Sequence, residues 1–301
     1  MTARFLSYPL RLSTRFETFA STPVHMEMLR DTTRSLTFQR AINAVVKPGV
    51  RVLDIGAGSG ILGLWALTAG AAHLDAIDAT DIGGTLMRTF AANGFSGRAE
   101  AHIGHSGSVT LKEPADVVIA EVLGHFGIDE GILATCADAR QRLAKPGAVF
   151  IPARVDVIAW PVWVPDFEND LVAFWRHKPY AYELDAMGEL SRQATYACNE
   201  HDGQRIAASA VLASYDVGAP PPTRFAGRAS FNVDFKSDWN GFFLSFTADL
   251  GAGISLDGFR THSWKTVFLP APKMTSLAKG SVVTLEIGEE ADGSVRYSAT
   301  P

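Results

Sequence analysis

The 301-residue chain carries only two cysteines, Cys136 and Cys198, and neither has a metal-binding or redox spacing. A disulfide framework and a cysteine zinc site are thereby excluded, and buried thiols of a reducing compartment are expected. No apolar run approaches the roughly 20 residues that a bilayer-spanning helix needs, so no membrane partner is expected. A basic surplus is also missing. Lys and Arg number 27 against 32 Asp and Glu, a formal net charge of −5. That balance argues against a nucleic-acid partner and accommodates a cationic substrate. Repeats and low-complexity tracts are absent apart from Pro220-Pro221-Pro222, which reads as a stiff loop. What remains is ordinary globular material, 47% hydrophobic and 20% charged, enough for one large or two medium domains. The first 16 residues hold Arg4, Arg11 and Arg15 and no acid. Transit peptides share that composition, but a cytoplasmic location is the default.

Two styles divide the sequence. Over residues 25–152 apolar runs and helical periodicities alternate: a helix over 25–46, then strands near 50–55, 74–78, 99–103, 116–120 and 148–151. Helices over 61–69, 85–93 and 131–143 separate most of these strands. Such alternation predicts βαβ units and a parallel, Rossmann-like sheet. Residues 1–24 show no sustained period. From 153 to 301 the runs are short and alternating, punctuated by Pro and Gly, as in an antiparallel β domain. They fall at 155–159, 208–215, 231–235, 242–247, 266–269, 281–287 and 295–298. Between them, 166–192 is rich in aromatics and reads as a helical insertion that must pack on something.

Residues 52–62 read Val-Leu-Asp-Ile-Gly-Ala-Gly-Ser-Gly-Ile-Leu. A strand ends in Asp54, glycines follow at 56, 58 and 60, and Ile61 and Leu62 open a helix. Glycines let a ligand lie on bare main chain, with the N–H groups of the helix start facing it. Asp78 ends the next strand, 24 residues after Asp54, where an acid binds the ribose of a nucleotide-type cofactor. The third glycine comes one residue too early for the dinucleotide fingerprint. Asp54 suits an ammonium rather than a pyrophosphate. Both features favour S-adenosyl-L-methionine (SAM) over a dinucleotide or a turn without ligand.

Strand 116–120 runs into Glu121-Val-Leu-Gly-His-Phe-Gly-Ile-Asp-Glu130. Glycines at 124 and 127 let this loop fold back and bring Glu121 and Glu130 together. Two close carboxylates are costly without a cation between them. A guanidinium suits: it is planar, permanently charged, and pairs bidentately with carboxylate. The alternative is that Glu130 is a solvated glutamate at a helix start.

The Glu121-x-x-Gly124 and Glu130 pattern resembles the double-E loop of the protein arginine N-methyltransferase family. The resemblance extends to other motifs. His25-Met-Glu-Met-Leu-Arg-Asp-Thr-Thr-Arg34 resembles that family's helix before motif I, and 52–62 resembles motif I itself. Ile77-Asp78 resembles the acid after it, and Pro146-Gly147 with Phe150-Ile151-Pro152 resembles the exit into the family's β-barrel. Thr261-His262 resembles the start of the Thr-His-Trp loop. Together the matches run from Arg15 to about Phe268.

The resemblance implies a Rossmann-like SAM-dependent methyltransferase domain over 25–152, preceded by an N-terminal segment, 1–24. A β-barrel substrate domain would follow over 153–301, with a helical dimerisation arm at about 166–192 and hence a homodimer. SAM would lie on Gly56, Gly58, Gly60, Ile61 and Leu62 with Asp78 on its ribose. Arg34 would hold its carboxylate, Asp54 or a nearby carbonyl its ammonium, and Met28 would border its sulfonium. His105 and Ser106 lead into Gly107, where the family carries an adenine-contacting acid. Glu121 and Glu130 would grip the substrate guanidinium. The proton would leave to Glu130 or through His262 paired with Asp31. No metal is implied.

Departures from the family fall on the substrate side. The N-terminal Tyr-Phe-x-x-Tyr becomes Arg15-Phe16-Glu17-Thr18-Phe19, leaving Phe16 and Phe19 without hydroxyls. His125 replaces a tyrosine, Ile132 alters a pocket position, and Trp264 is displaced by one residue. Three functions follow: methylation of arginine in a protein or peptide, methylation of free arginine or a small guanidine metabolite, or an inactive scaffold of the same fold.

Overall fold

The computed structural model describes residues 5–11 and 19–301. Two helices come before the first sheet, α1 (Thr22–Arg30) and α2 (Thr32–Val45). The sequence predicts one helix here. Asp31 breaks it, because its side chain accepts the Arg34 N–H and so ends one helix and caps the next.

Five strands then form a parallel sheet. They are β2 (Arg51–Ile55), β3 (His73–Asp78), β4 (Ala99–Ile103), β5 (Ala115–Ala120) and β6 (Ala144–Ile151), and β1 is the short strand Leu6–Ser7. Their order is β4-β3-β2-β5-β6. The strand at 148–151 thus starts earlier than expected, at Ala144, and β1 lies in a stretch without any readable period. α3 (Ile61–Thr68), α4 (Leu86–Ala92) and α5 (Ile132–Arg142) connect the strands. Val52, Leu53, Val117, Val118 and Ile119 are buried, as central strands covered on both faces require. The chain turns one way from β2 through β3 to β4, and the other way from β5 to β6. Ligands of open α/β sheets bind at the carboxyl ends of strands beside such a switch point.

The rest is antiparallel. β7 (Arg154–Trp163), β8 (Tyr196–Cys198), β9 (Gln204–Arg205), β10 (Ala210–Asp216), β12 (Ser237–Asp249), β13 (Ser255–Asp257) and β14 (Thr266–Leu277) join β1 in one sheet. β11 (Ala226–Asn232), β15 (Val282–Glu289) and β16 (Val295–Thr300) form a second. β10 lies beside β11 and β16 beside β14, where Tyr297 donates its hydroxyl to the Pro270 carbonyl at 2.9 Å. The two sheets therefore close into a barrel-like domain. Between β7 and β8 the chain is helical, as expected, through a π-helical turn at Phe167–Val172, then α6 (Ala173–Arg176) and α7 (Asp185–Ser191).

The two parts share one core. Phe246 of β12 is fully buried and meets the Trp264 ring edge-on, with centroids 5.1 Å apart. It also backs Gly127 and Gly258, where an added Cβ would fall within 2.6 Å of Phe246 atoms. Phe246→Ala is expected to cost about 3–5 kcal/mol by leaving a cavity under both loops. Urea unfolding followed by tryptophan fluorescence checks this, and a loss below about 1 kcal/mol would be inconsistent with a fully buried phenylalanine.

Candidate active site

A cavity of about 660 Å³ opens at the carboxyl ends of β2, β3 and β5. Its walls include Gly56, Gly58, Ser59, Ile61 and Leu62, together with Asp78, His105 and Ser106. Met28 and Arg34 arrive from the N-terminal helices, Glu121, His125 and Glu130 from the loop after β5, and His262 and Trp264 from the β domain. Phe19 lines it as well, whereas Phe16 lies outside the described residues.

The glycine turn is built tightly. Gly58 has φ +52°, and a Cβ there would sit 2.6 Å from His25 Cε1. His25 is buried, and its Nε2 lies 2.8 Å from the Phe19 carbonyl. Asp78 Oδ2 accepts the Gly58 N–H at 2.7 Å, and its Oδ1 accepts the Thr80 N–H and hydroxyl at 2.8 and 2.7 Å. Both oxygens of the acid that was expected on a ribose are thus also used to shape the turn.

Two expected ligands stand outside the cavity. Asp54 does not face a ligand ammonium: it is fully buried and its Oδ2 accepts the Gly63 N–H at 3.0 Å, fastening α3 to the sheet. Oδ1 has no hydrogen-bond partner among the described residues. Burial pushes this carboxyl up to about 7, with the nearby charge of Asp78 adding to the effect. Gly60 sits behind the wall as the left-handed cap of α3. Ile132, expected to shape the pocket, is wholly buried at the start of α5 and is not part of the lining.

The acidic loop meets a guanidinium from the chain itself. Arg34 Nη2 is ion-paired with Glu121 Oε2, and both side chains are 11% exposed. The guanidinium carbon lies 5.2 Å from the Trp264 ring centre. Arg34 Nε is buried with no partner among the described residues, a donor left for an incoming acceptor. Burial lowers Arg34 to about 10 against the attraction of Asp31 and Glu130. Glu130 is driven the other way, up to about 8, by burial and then by the charge of Asp129. Burial takes His125 down to about 4, helped by Lys265.

Asp31 is not joined to the His262 side chain as expected. Its Oδ2 accepts the main-chain N–H groups of His262 and Ser263 at 2.7 and 2.8 Å, and the Ser263 hydroxyl at 2.7 Å. Burial opposes its charge, but these donors and the Arg34 N–H hold the carboxyl below its ordinary range. Asp31 therefore pins the 261–264 loop over the cavity, and the His262 ring remains exposed at the rim.

Sequence reasoning missed His25 as the brace of the glycine turn, and Tyr8 and Asp129, described below. His25 stands inside a quoted motif, so its position was visible there. Tyr8 gave no signal.

A family profile described as "Ribosomal protein L11 methyltransferase (PrmA)" matches residues 31–153. "Probable protein arginine N-methyltransferase 6" of Arabidopsis thaliana is 32% identical over 183 residues, 60% of this chain and 42% of that protein. "Protein arginine N-methyltransferase 1.1" of Arabidopsis thaliana is 26% identical over 284 residues, 89% of this chain and 72% of that one. The chain is thus similar to proteins named protein arginine N-methyltransferases, and spans under half the length of the first of them. Among solved structures, the Trypanosoma brucei PRMT1 enzyme–prozyme heterotetrameric complex with AdoHcy gives a TM-score of 0.84 at 20% identity. That match covers 94% of this chain and 100% of the other. Arabidopsis thaliana protein arginine methyltransferase 10 gives 0.77 at 20% identity, covering 95% and 99%. These two likenesses carry the fold: a Rossmann-like domain followed by a barrel-like one.

The buried acids fix how stability follows pH. Asp54, Asp129 and Glu130 sit at about 7, 6 and 8, all above the ordinary carboxyl range. A raised carboxyl favours the folded state while it keeps its proton. That contribution is complete below the unfolded carboxyl range near pH 4 and is lost as pH rises through 6 to 8. The melting temperature, followed by calorimetry, is expected to fall between pH 5 and 8.5. Asp54→Asn keeps the acceptor for Gly63 and flattens part of that fall; an equally steep fall in the variant would contradict the assignment.

Proposed function

We propose that this chain is a SAM-dependent N-methyltransferase acting on the guanidino group of arginine in a protein or peptide. The observation that carries this reading is Arg34 on Glu121, with Glu130 close enough to attract it: the acidic loop already holds a guanidinium in a largely buried site. Residues 25–152 serve as the cofactor domain and 153–301 as the substrate domain.

The cavity fits SAM. Gly56 and Gly58 would offer bare main chain to its nucleoside, Asp78 would hold its ribose, and His105 and Ser106 would hold its adenine. Met28 would border its reacting end, and Arg34 Nε, unpartnered among the described residues, would suit its carboxylate. Asp54 is too deep to hold its ammonium. When bound, SAM supplies an electrophilic methyl group on a sulfonium.

The chain's residues do the rest. A guanidinium is a weak nucleophile because its lone pairs are delocalised. Glu121 and Glu130 pair with two of its nitrogens and draw positive charge towards them, leaving electron density on the nitrogen that attacks. Arrival of this cation lowers Glu130 from about 8, so binding displaces its proton. Glu130 then takes the proton that the methylated nitrogen loses, and the exposed His262 at the rim relays it outward. Phe19, His125 and Trp264 enclose the side chain. Positioning and preset charge supply the acceleration.

We further propose a homodimer made through the 166–192 arm and a cytoplasmic location. The arm exposes Phe174, Tyr180, Tyr182 and Leu190, apolar surface that a second copy would cover. Among the described residues no helix is long and apolar enough to cross a membrane. Sedimentation at micromolar concentration is expected to give a dimer, and Tyr180→Asp with Phe174→Asp a monomer. A wild-type monomer would rule out the arm interface.

Glu121→Gln is expected to remove about a hundred- to a thousandfold of turnover on an arginine peptide, the scale of losing one preset electrostatic group, and to weaken SAM binding as well because Arg34 loses its partner. Labelled-methyl transfer and calorimetric titration measure the two. With free arginine as a parallel substrate, the same assay separates peptide from metabolite chemistry. The pH profile of kcat/KM should rise through about 8, the position of Glu130 in the free protein. Full activity of Glu121→Gln would refute the clamp.

A further inference from the structure

Asp129 stands between the clamp and the β domain and has no part in the reaction as described. It is 2% exposed and three donors converge on it. The Tyr8 hydroxyl donates to Oδ2, the His125 N–H reaches Oδ2 at 3.0 Å, and the Phe126 N–H reaches Oδ1 at 3.0 Å. Gly124 lies directly beneath at φ +67°, where a Cβ would fall 2.4 Å from the Asp129 carboxyl. The carboxylate therefore fills the inside of the loop that Glu121 and Glu130 terminate.

Tyr8 is held from the other side. Its N–H donates to the Thr195 carbonyl at 2.8 Å, and its carbonyl accepts the Thr195 hydroxyl. Thr195 leads into β8, which pairs with β14. The Tyr8 ring packs on the His125 ring, centroids 4.8 Å apart. A residue 121 positions away in sequence thus spans from the β domain to the acidic loop.

We infer that Tyr8 and Asp129 are positioning residues: a latch that fixes the two glutamates of the clamp relative to each other by tying their loop to the β domain. The inference rests on the proposed guanidinium chemistry only for its kinetic readout. Asp129 touches the main chain of the loop, and its charge also acts on its neighbour Glu130. A turn-capping role alone would change stability. A latch changes how the clamp holds substrate and where Glu130 titrates.

Two variants of the full-length protein separate these roles. Tyr8→Phe keeps the ring and loses one donor. Its kcat/KM for an arginine peptide should fall about tenfold, the effect of one lost hydrogen bond to a charged group, with SAM affinity unchanged. Amide hydrogen exchange across 121–130 should quicken, with the rest of the parallel sheet unaffected. Asp129→Asn removes the charge that raises Glu130, so the acid limb of its pH profile should move to lower pH. Unchanged exchange at 121–130 in Tyr8→Phe, or an acid limb in Asp129→Asn at the wild-type position, would overturn the latch. If the wild type transfers no methyl group to any arginine substrate, the proposed function fails, and the exchange comparison alone still decides the latch.

Discussion

Arg34 and Glu121 form a buried ion pair on which the geometry of the cavity depends. Neither charge would be stable there alone, since ions this far out of water must be paired. The pair brings together α2, which carries Arg34, and the end of β5, which carries Glu121. Trp264, over whose ring the guanidinium lies, adds the β domain. Asp31 strengthens the same junction by capping α2 and accepting three donors from His262 and Ser263. One short stretch, 31–34, therefore fixes where the parallel-sheet part, the acidic loop and the β domain meet. In the proposed reaction Arg34 serves both sites: Nη2 is on Glu121, and Nε has no partner among the described residues.

The parallel sheet was legible because its central strands are largely apolar runs, as at 116–120, separated by helical periodicities. The antiparallel part was legible as a style but not as a topology, since short alternating strands do not announce their partners. Glu121 and Glu130 could be placed on one cavity wall from sequence because a strand end and two glycines leave the loop one compact course. Asp54 misled for a physical reason. An acid closing a strand can point up to a ligand or across to the helix that follows, and the sequence is the same for both. Here it points to the helix, accepting the Gly63 N–H. The break at Asp31 went unread because apolar positions continue past it, whereas the cap that makes the break is a hydrogen bond. Tyr8 was beyond sequence reasoning: it sits in a segment without periodicity, and its partner loop is brought near only by folding.

In the proposed reaction the balance of charge in the acidic loop would set which substrate the site prefers. Glu121, Asp129 and Glu130 supply up to three negative charges, and Arg34 supplies one positive charge beside them. Ionising all three would leave the loop two charges out of balance in a region nearly closed to water. The structure relieves this with protons. Asp129 is raised to about 6 in spite of its three donors, and Glu130 to about 8. At neutral pH Glu130 thus largely keeps its proton when nothing cationic is bound. A planar cation can replace that proton at little electrostatic cost, because one positive charge is exchanged for another. An anion would face the remaining carboxylates, and a neutral amide could satisfy the oxygens but not the charge. A guanidinium does both, which is why the acidic loop, rather than the glycine turn shared by many nucleotide-type sites, argues for the substrate.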